Sequence, residues 1–288
     1  KACACKQRRH QIVCKYHILK KETTVKYEGL KFEKSEHIAV LTIDRPHRLN
    51  AATLEMGYIA LPRILRDIQE DEDIRVLIIT GAGKGFCAGA DVNELPDFFK
   101  ITGNLARHEK LMALGEFARL LYDLEIPVIA AVNGVAAGAG VSIALLSDIR
   151  IASENARFGL VFVARGLIPD CGATYLMPRL LGFGKSFELM YTGDLIDARE
   201  AERIGLVNKV VPHDKLMDEA KAWAKRLVQA PPLALAQIKR AIHKGILNNL
   251  EEQLYFETYA QNFLFGTEDF QEGVNSFLEK REPHWKGR

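Results

Sequence analysis

The feature that most constrains this 288-residue chain is a repeated order of hydrophobic strand, glycine-rich turn and helix. Two apolar, strand-like runs, Arg75 to Thr80 and Val128 to Val132, are each followed by a turn of small residues. A helical pattern follows the second turn, at Ala139 to Leu146. Parallel strands need crossover connections of this kind. The order therefore predicts an α/β fold with a predominantly parallel sheet and with ligands at the carboxyl ends of its strands.

The flanking segments extend this prediction in both directions. Leu30 to Glu33 and Ile38 to Ile43 predict an antiparallel pair of strands. Thr53 to Gln69 predicts a helix that Pro62 should kink, and Leu105 to Leu124 predicts another. We expect a core over residues 26–198 and a helical region of the same fold over 199–288. The helices predicted there are Ala198 to Ile204, Lys215 to Ala230, Pro232 to Leu247, Leu250 to Leu264 and Glu268 to Lys280.

Charge separates a basic N-terminal arm from a mildly acidic body. Residues 1–21 carry seven Lys or Arg and no acid, so the net charge of +2 for the whole chain leaves −5 for the rest. An acidic body argues against a nucleic-acid-binding domain, although such an arm could contact RNA. We expect residues 1–25 to be a disordered extension, or the remnant of an organellar targeting peptide.

The cysteines indicate a reducing compartment. Their number, five, is odd, and no secretory signal pattern is present, so we expect a cytoplasmic protein, with an organellar matrix as the alternative. Cys3, Cys5 and Cys14 lie near His10 and His17, but their spacing fits no common zinc module. We therefore predict no metal site.

One uncharged run, Ile126 to Ser147, is long enough for a membrane span of about 20 residues. Pro127 and several glycines divide it into a strand, a turn and the start of a helix. The run therefore predicts a buried βα unit, and we expect no membrane association.

Two turns of small residues, Gly81 to Asp91 and Asn133 to Gly140, would let a ligand approach the main chain closely. With four further stretches they resemble the crotonase, or enoyl-CoA hydratase/isomerase, superfamily over about residues 28–288. The matching stretches are Asp44-Arg-Pro-His-Arg-Leu-Asn-Ala51, Phe86-Cys-Ala-Gly-Ala-Asp91, Ile129-Ala-Ala-Val-Asn-Gly134, Ala156-Arg-Phe-Gly159, Gly166-Leu-Ile-Pro-Asp-Cys-Gly172 and Phe277-Leu-Glu-Lys-Arg281.

The resemblance implies a crotonase-like superhelix of ββα units with a C-terminal helical trimerisation region. It also implies an acyl-CoA thioester substrate and assembly as a homotrimer or a hexamer. No separate cofactor is expected, because coenzyme A is part of the substrate. By the same resemblance, the main-chain amides of Ala90 and Ala139 bind the thioester oxygen. A main-chain donor needs no particular side chain, and each is worth about 2.7 to 4 kcal/mol to a developing oxyanion.

The residues for proton transfer depart from the pattern of the hydratases. Those enzymes carry two glutamates at positions that hold Ser142 and Phe162 in this chain, and neither of these side chains is a base. Asp170 is the remaining acid. It matches the branch of dienoyl-CoA isomerases and ring-1,2-epoxyphenylacetyl-CoA isomerases, which implies an isomerase. A structural role as the N-cap of a helix over Gly172 to Leu181 is the other interpretation of Asp170.

Contacts to coenzyme A are implied by the resemblance alone. The segment from Val92 to Leu121, which includes Glu94, His108, Glu109 and Glu116, corresponds to the variable wall of the acyl pocket, and we expect His108 at the surface. Phe277 and Lys280 match a pair that reaches coenzyme A from a neighbouring subunit. The positions that match the adenine and pantetheine path are Arg48, Leu49, Ala88 and Asp91.

Three other functions stay open at this point. A hydratase and an acyl-CoA hydrolase of the same superfamily would use the same oxyanion hole. An RNA-binding relative would use the basic arm.

Overall fold

Two sheets rich in parallel strands form the body of the chain. The computed structural model describes residues 27–96, 100 and 103–288, and the basic arm, with its cysteines and histidines, lies outside the described residues. In chain order the strands are β1 (Leu30–Ser35), β2 (Ile38–Ile43), β3 (Val76–Gly81), β4 (Gly85–Cys87), β5 (Val128–Val132), β6 (Val135–Ala137), β7 (Ile149–Ser153), β8 (Arg157–Gly159), β9 (Ile196–Asp197) and β10 (Lys209–Val211).

Helices surround these sheets and make up most of the C-terminal third. In chain order they are α1 (Leu61–Glu70), α2 (Asn104–Leu114), α3 (Glu116–Asp123), α4 (Ala139–Leu146), α5 (Ala173–Thr192), α6 (Ala198–Arg203), α7 (Leu216–Val228), α8 (Pro232–Gly245), α9 (Leu250–Phe265) and α10 (Glu268–Glu279). Within α5 the backbone of Gly182 is not helical (φ 76°, ψ 165°), so α5 is two helical segments that meet there.

The larger sheet has the strand order β1-β2-β3-β5-β7-β10, and the smaller has β4-β6-β8-β9. The expected antiparallel pairing of β1 with β2 is confirmed, and from β2 to β10 every neighbour is parallel. After β3, β5 and β7 the chain crosses to the smaller sheet, and after β6 it enters α4. The superhelix of ββα units is therefore confirmed.

Both faces of the larger sheet are covered. Alternate residues of β3 point to two different hydrophobic clusters, Leu77 and Ile79 to one and Val76 and Ile78 to the other. The α7 helix packs on the second face through its small residues, including Ala220. Burial on both faces explains why β3 and β5 are continuous apolar runs rather than alternating ones.

The two long helices predicted before β5 are interrupted. A π-helical turn, Met56–Ala60, runs directly into α1, whose first turn contains Pro62, so the regular α-helical hydrogen bonding is interrupted just before the proline. The second predicted helix divides at Gly115 into α2 and α3. No residue of α2 is buried.

Membrane-spanning helices and metal-binding clusters are both absent from the described residues. None of the helices described is long and apolar enough to cross a membrane. Over residues 27–96, 100 and 103–288, no group of three or more His, Cys, Asp or Glu residues is arranged to hold a metal ion.

Candidate active site

Two glycine turns lie side by side where the chain leaves the smaller sheet. β4 and β6 are parallel neighbours, with Gly85 opposite Val135, so the residues that follow them run together. Gly89 has a φ of 94°. A Cβ built there would lie 2.9 Å from the Ala137 carbonyl oxygen and 3.6 Å from the Ala139 amide nitrogen. The close approach of the two turns therefore requires glycine at this position.

The amides of Ala90 and Ala139 are oriented by different means. Beside Ala90, the Ala52 amide donates to the Gly89 carbonyl at 2.7 Å, and the Asp91 amide donates to the Ala52 carbonyl at 2.8 Å. Successive amides of an extended backbone face opposite sides, so the Ala90 amide points away from this bridge. Ala139 begins α4, and the first amides of a helix have no acceptor within it. The bridge beside Ala90 and the helix start at Ala139 therefore leave these two N–H groups outside the hydrogen bonds named above.

Two buried asparagines brace the first turn. The Asn50 side-chain nitrogen donates to the Gly85 carbonyl at 2.6 Å, and the Asn133 side-chain nitrogen donates to the same oxygen at 3.0 Å. The Asn133 oxygen also accepts from the Gly81 amide at 3.1 Å. A buried amide that satisfies several main-chain groups fixes their positions, so these side chains hold the turn that carries Ala90.

Ser142 and Phe162 stand at the two positions that the resemblance matches to the hydratase glutamates. Neither side chain is a base. The aromatic ring of Phe162 packs beside Gly138, since a Cβ built on that glycine would lie 3.7 Å from the Cζ atom of the ring. Ser142 lies in α4 and is completely buried, with 0% exposure. Its hydroxyl donates to the main-chain carbonyl of Asp170 at 3.0 Å.

Asp170 lies in the turn before α5. The helix begins at Ala173 with Gly172 as its N-cap, and no side chain caps it. The interpretation of Asp170 as the N-cap is therefore wrong. The main chain takes left-handed conformations at Cys171 (φ 49°) and Gly172 (φ 84°), and the Asp170 carbonyl accepts a hydrogen bond from the Ala173 amide at 3.0 Å. The Asp170 side chain thus has no role in starting α5.

The electrostatics of Asp170 differ from those of an ordinary surface carboxylate. Asp170 is exposed to solvent in the single chain, but the protein packed around its carboxyl group desolvates that group in part and raises its pKa above the ordinary value. An interaction with the Cys171 thiol lowers the pKa by a smaller amount. The neighbouring side chains of Leu167 and Ile168 are 52% and 74% exposed, so they contribute little to this desolvation.

The other titratable groups of the expected pocket wall are engaged elsewhere or point outward. Glu94 accepts a hydrogen bond from the Leu54 amide at 2.6 Å. Glu116 forms an ion pair with Arg66. His108 lies on the exposed surface of α2, as expected. Glu94 and Glu116 thus have partners within the fold, and His108 faces solvent.

Arg48, Leu49, Ala88 and Asp91, expected along the coenzyme A path, lie in adjoining loops. The Ala88 amide donates to the Leu49 carbonyl at 3.0 Å, and Arg48 is exposed beside it. Asp91 is buried instead. Hydrogen bonds from the Asn93 amide and from Arg45 hold the pKa of Asp91 below its usual value. The Asp91 carboxylate therefore anchors the loop from inside rather than facing a ligand.

Phe277 and Lys280 lie at the end of α10. Phe277 is 82% exposed and lines an apolar groove of about 530 Å³ with residues such as Leu264 and Trp285. Ala90 and Ala139 do not line this groove. The glycine turns are therefore not part of this groove.

The contact between Ser142 and Asp170 had no signal in the sequence. Twenty-eight residues separate the two in the chain, and a serine inside an apolar helical run reads as a small packing residue. The bracing role of Asn133 had a weak signal, because it is a polar residue directly after an apolar strand, whereas Asn50 lies seven residues after the end of β2 and had none.

Known proteins are similar to this chain in sequence and in fold. Residues 33–288 match the family model described as enoyl-CoA hydratase/isomerase. A short-chain-enoyl-CoA hydratase of Clostridium acetobutylicum is 43% identical over 256 residues, which are 87% of this chain and 94% of that protein. The 1,2-epoxyphenylacetyl-CoA isomerase of Escherichia coli is 39% identical, over 87% of this chain and 95% of that protein.

A solved structure supports the same relationship. The crystal structure of an enoyl-CoA hydratase from Bacillus anthracis superposes with a TM-score of 0.84 at 35% identity. The match covers 90% of this chain and 100% of that one.

Proposed function

The chain belongs to the enoyl-CoA hydratase/isomerase family, and from this premise we propose that it is an acyl-CoA isomerase that uses Asp170 as its single proton carrier. The observation that carries the proposal is the pair Ser142 and Phe162 at the positions of the hydratase glutamates, one completely buried and the other an aromatic ring beside Gly138. Addition of water needs carboxylates that orient and deprotonate it. A shift of a double bond needs one base that also returns the proton.

The proposed reaction begins with a 3-enoyl-CoA thioester. The Asp170 carboxylate removes a proton from C2, and the electrons move onto the thioester oxygen, which the amides of Ala90 and Ala139 stabilise as an enolate. The Asp170 carboxylic acid then delivers the proton to C4. The double bond has moved from C3–C4 to C2–C3, the thioester is intact, and no separate cofactor takes part. A ring-epoxide thioester is the second substrate class that suits this carboxylate.

The test compares two acyl-CoA substrates in one assay. Isomerisation of 3-hexenoyl-CoA creates a conjugated thioester and increases near-ultraviolet absorbance, whereas hydration of crotonyl-CoA removes one and decreases it. We expect isomerisation to be at least about 100-fold faster, the lower end of what a positioned acid or base contributes. Equal rates would overturn the assignment in favour of a hydratase. Release of free coenzyme A, measured with a thiol reagent, would identify a hydrolase.

The raised pKa of Asp170 predicts the pH dependence of this activity. The base must be ionised, so kcat/KM should fall as the pH decreases through a pKa above the ordinary aspartate value of about 3.9. A raised pKa also means that the folded chain binds this proton more tightly than the unfolded chain. The group therefore lowers stability at neutral pH, and this loss disappears on acidification.

The measurement is a kcat/KM profile together with thermal unfolding over the same pH range. Protonation of Asp170 should remove activity and add stability, whereas Asp91, whose pKa is depressed, loses its stabilising effect as the pH falls further. An activity that stays constant down to about pH 4 would contradict a desolvated base at this position.

For the assembly we propose a homotrimer or a hexamer formed through the C-terminal helices. Large apolar side chains are exposed along α9 and α10 in the single chain, and exposed patches of this kind usually mark protein interfaces. They include Leu254, Tyr255, Tyr259, Phe263, Phe277 and Leu278. In such an assembly Phe277 and Lys280 would serve the coenzyme A site of a neighbouring subunit.

A further inference from the structure

The turn that carries Asp170 has a backbone conformation that needs support. Cys171 has a φ of 49° and Gly172 a φ of 84°. A left-handed conformation costs a residue with a Cβ about 1 to 2 kcal/mol, and it persists only where the surroundings hold it. Of these two residues only Cys171 has a Cβ. The peptide that joins Asp170 to Cys171 therefore needs contacts that hold it in place.

Ser142 supplies the contact that comes from another element. Its hydroxyl donates to the Asp170 carbonyl at 3.0 Å, while the second hydrogen bond to this carbonyl comes from the nearby Ala173 amide. Most buried serines in a helix donate to their own helix. Ser147 does this at the end of α4, donating to the Ile143 carbonyl at 3.1 Å. Ser142 differs because its hydroxyl donates to a residue outside α4, the Asp170 carbonyl in the turn before α5.

The same helix carries the second donor to the substrate oxygen. Ala139 begins α4, and Ser142 follows three residues later, on the same face of the helix. One rigid element thus presents an amide to the thioester at its N-terminus and a hydroxyl to the peptide of Asp170 one turn further along.

We propose that Ser142 is a positioning residue that fixes Asp170 relative to the Ala139 amide. The proposal rests on the isomerase function proposed above and adds a role for a side chain that touches neither substrate nor the reacting atoms. Since a displacement of about 1 Å can cost 100-fold in rate, loss of this hydroxyl should act on turnover more than on binding.

The first experiment compares Ser142→Ala with Ser147→Ala, which removes a buried hydroxyl from the residue that directly follows α4. We expect Ser142→Ala to lower kcat for 3-hexenoyl-CoA by about 10- to 100-fold with KM changed less than about 2-fold. Ser147→Ala should leave kcat within about 2-fold. Equal loss in both variants, or full activity in both, would overturn the proposal.

A second pair separates the hydroxyl from packing. Ser142→Thr keeps a hydroxyl and Ser142→Val replaces it with a methyl group of the same shape, so any strain from the added volume is common to both. Threonine should keep at least about 10-fold more activity than valine, with similar unfolding temperatures. Equal activities would assign Ser142 to packing alone.

A double variant distinguishes failure of this inference from failure of the proposed function. In an Asp170→Asn background the Ser142→Ala change should have no further effect on turnover, because the group that Ser142 positions is already lost. A full, independent loss there would overturn the positioning role. If Asp170→Asn alone retains full turnover, the proposed function fails. If it loses turnover while Ser142→Ala does not, only the present inference fails.

Discussion

Asparagine in place of Asp170 should lower isomerisation of 3-hexenoyl-CoA by about 1000-fold while KM changes little. A general base contributes about 100- to 10,000-fold, and Asp170 is the proposed carrier for both proton transfers. The asparagine side chain has nearly the same shape but cannot hold a proton between C2 and C4. The measurement is steady-state turnover by the rise in near-ultraviolet absorbance.

The matched control is Asp214→Asn, which removes a carboxylate from the exposed turn before α7. Its turnover should equal that of the unchanged chain. Asp170→Asn should also unfold at a slightly higher temperature at neutral pH, since it removes a charge whose desolvation raises the pKa of this group. Full turnover in Asp170→Asn would remove the assignment of the base.

Proline at position 139 should lower turnover by about 100- to 1000-fold, the effect of losing one oxyanion donor. Ala139 is the first residue of α4, where the fixed φ of proline suits a helix and the missing N–H was not bonded within it. The preceding Gly138 amide, which donates to the Gly159 carbonyl at 2.9 Å, is unchanged. The substitution therefore removes this donor and places the proline Cδ atom where the amide hydrogen was, so the bulk of the ring adds to the loss.

Glycine at the same position is the control, because it changes the side chain and keeps the amide. Ala139→Gly should retain activity within a few-fold. Circular dichroism and thermal unfolding then establish that the proline variant keeps α4. A correctly folded Ala139→Pro protein with normal turnover would exclude this amide from the oxyanion hole.

Prediction from the sequence was most successful where many residues of one type act together. β3 and β5 are runs of apolar residues buried on both faces, and each position repeats the same signal. The short strands of the smaller sheet gave no such signal. β4 and β8 have three residues each and contain glycine, so they are defined by the strands beside them and not by their own periodicity.

The candidate site also has one part that a local sequence pattern predicts and another part that it does not. The turns around Ala90 and Ala139 could be predicted because small residues were concentrated in two short segments. The surroundings of Asp170 could not, because they depend on the left-handed backbone at Cys171 and on a hydroxyl from a distant helix. Contacts between residues far apart in the chain are set by the tertiary structure and leave no local pattern.

The close contact between Gly89 and the Ala137 carbonyl affects how sequence differences among natural variants of this chain should be interpreted. The groups proposed to bind the substrate oxygen are main-chain N–H groups. Every amino acid except proline supplies such a group equally well. A survey of variants could thus find Ala90 and Ala139 freely exchanged, while the glycine next to them, which has no chemistry of its own, is never replaced. Tolerance at a position would then say nothing about whether its main chain takes part in turnover.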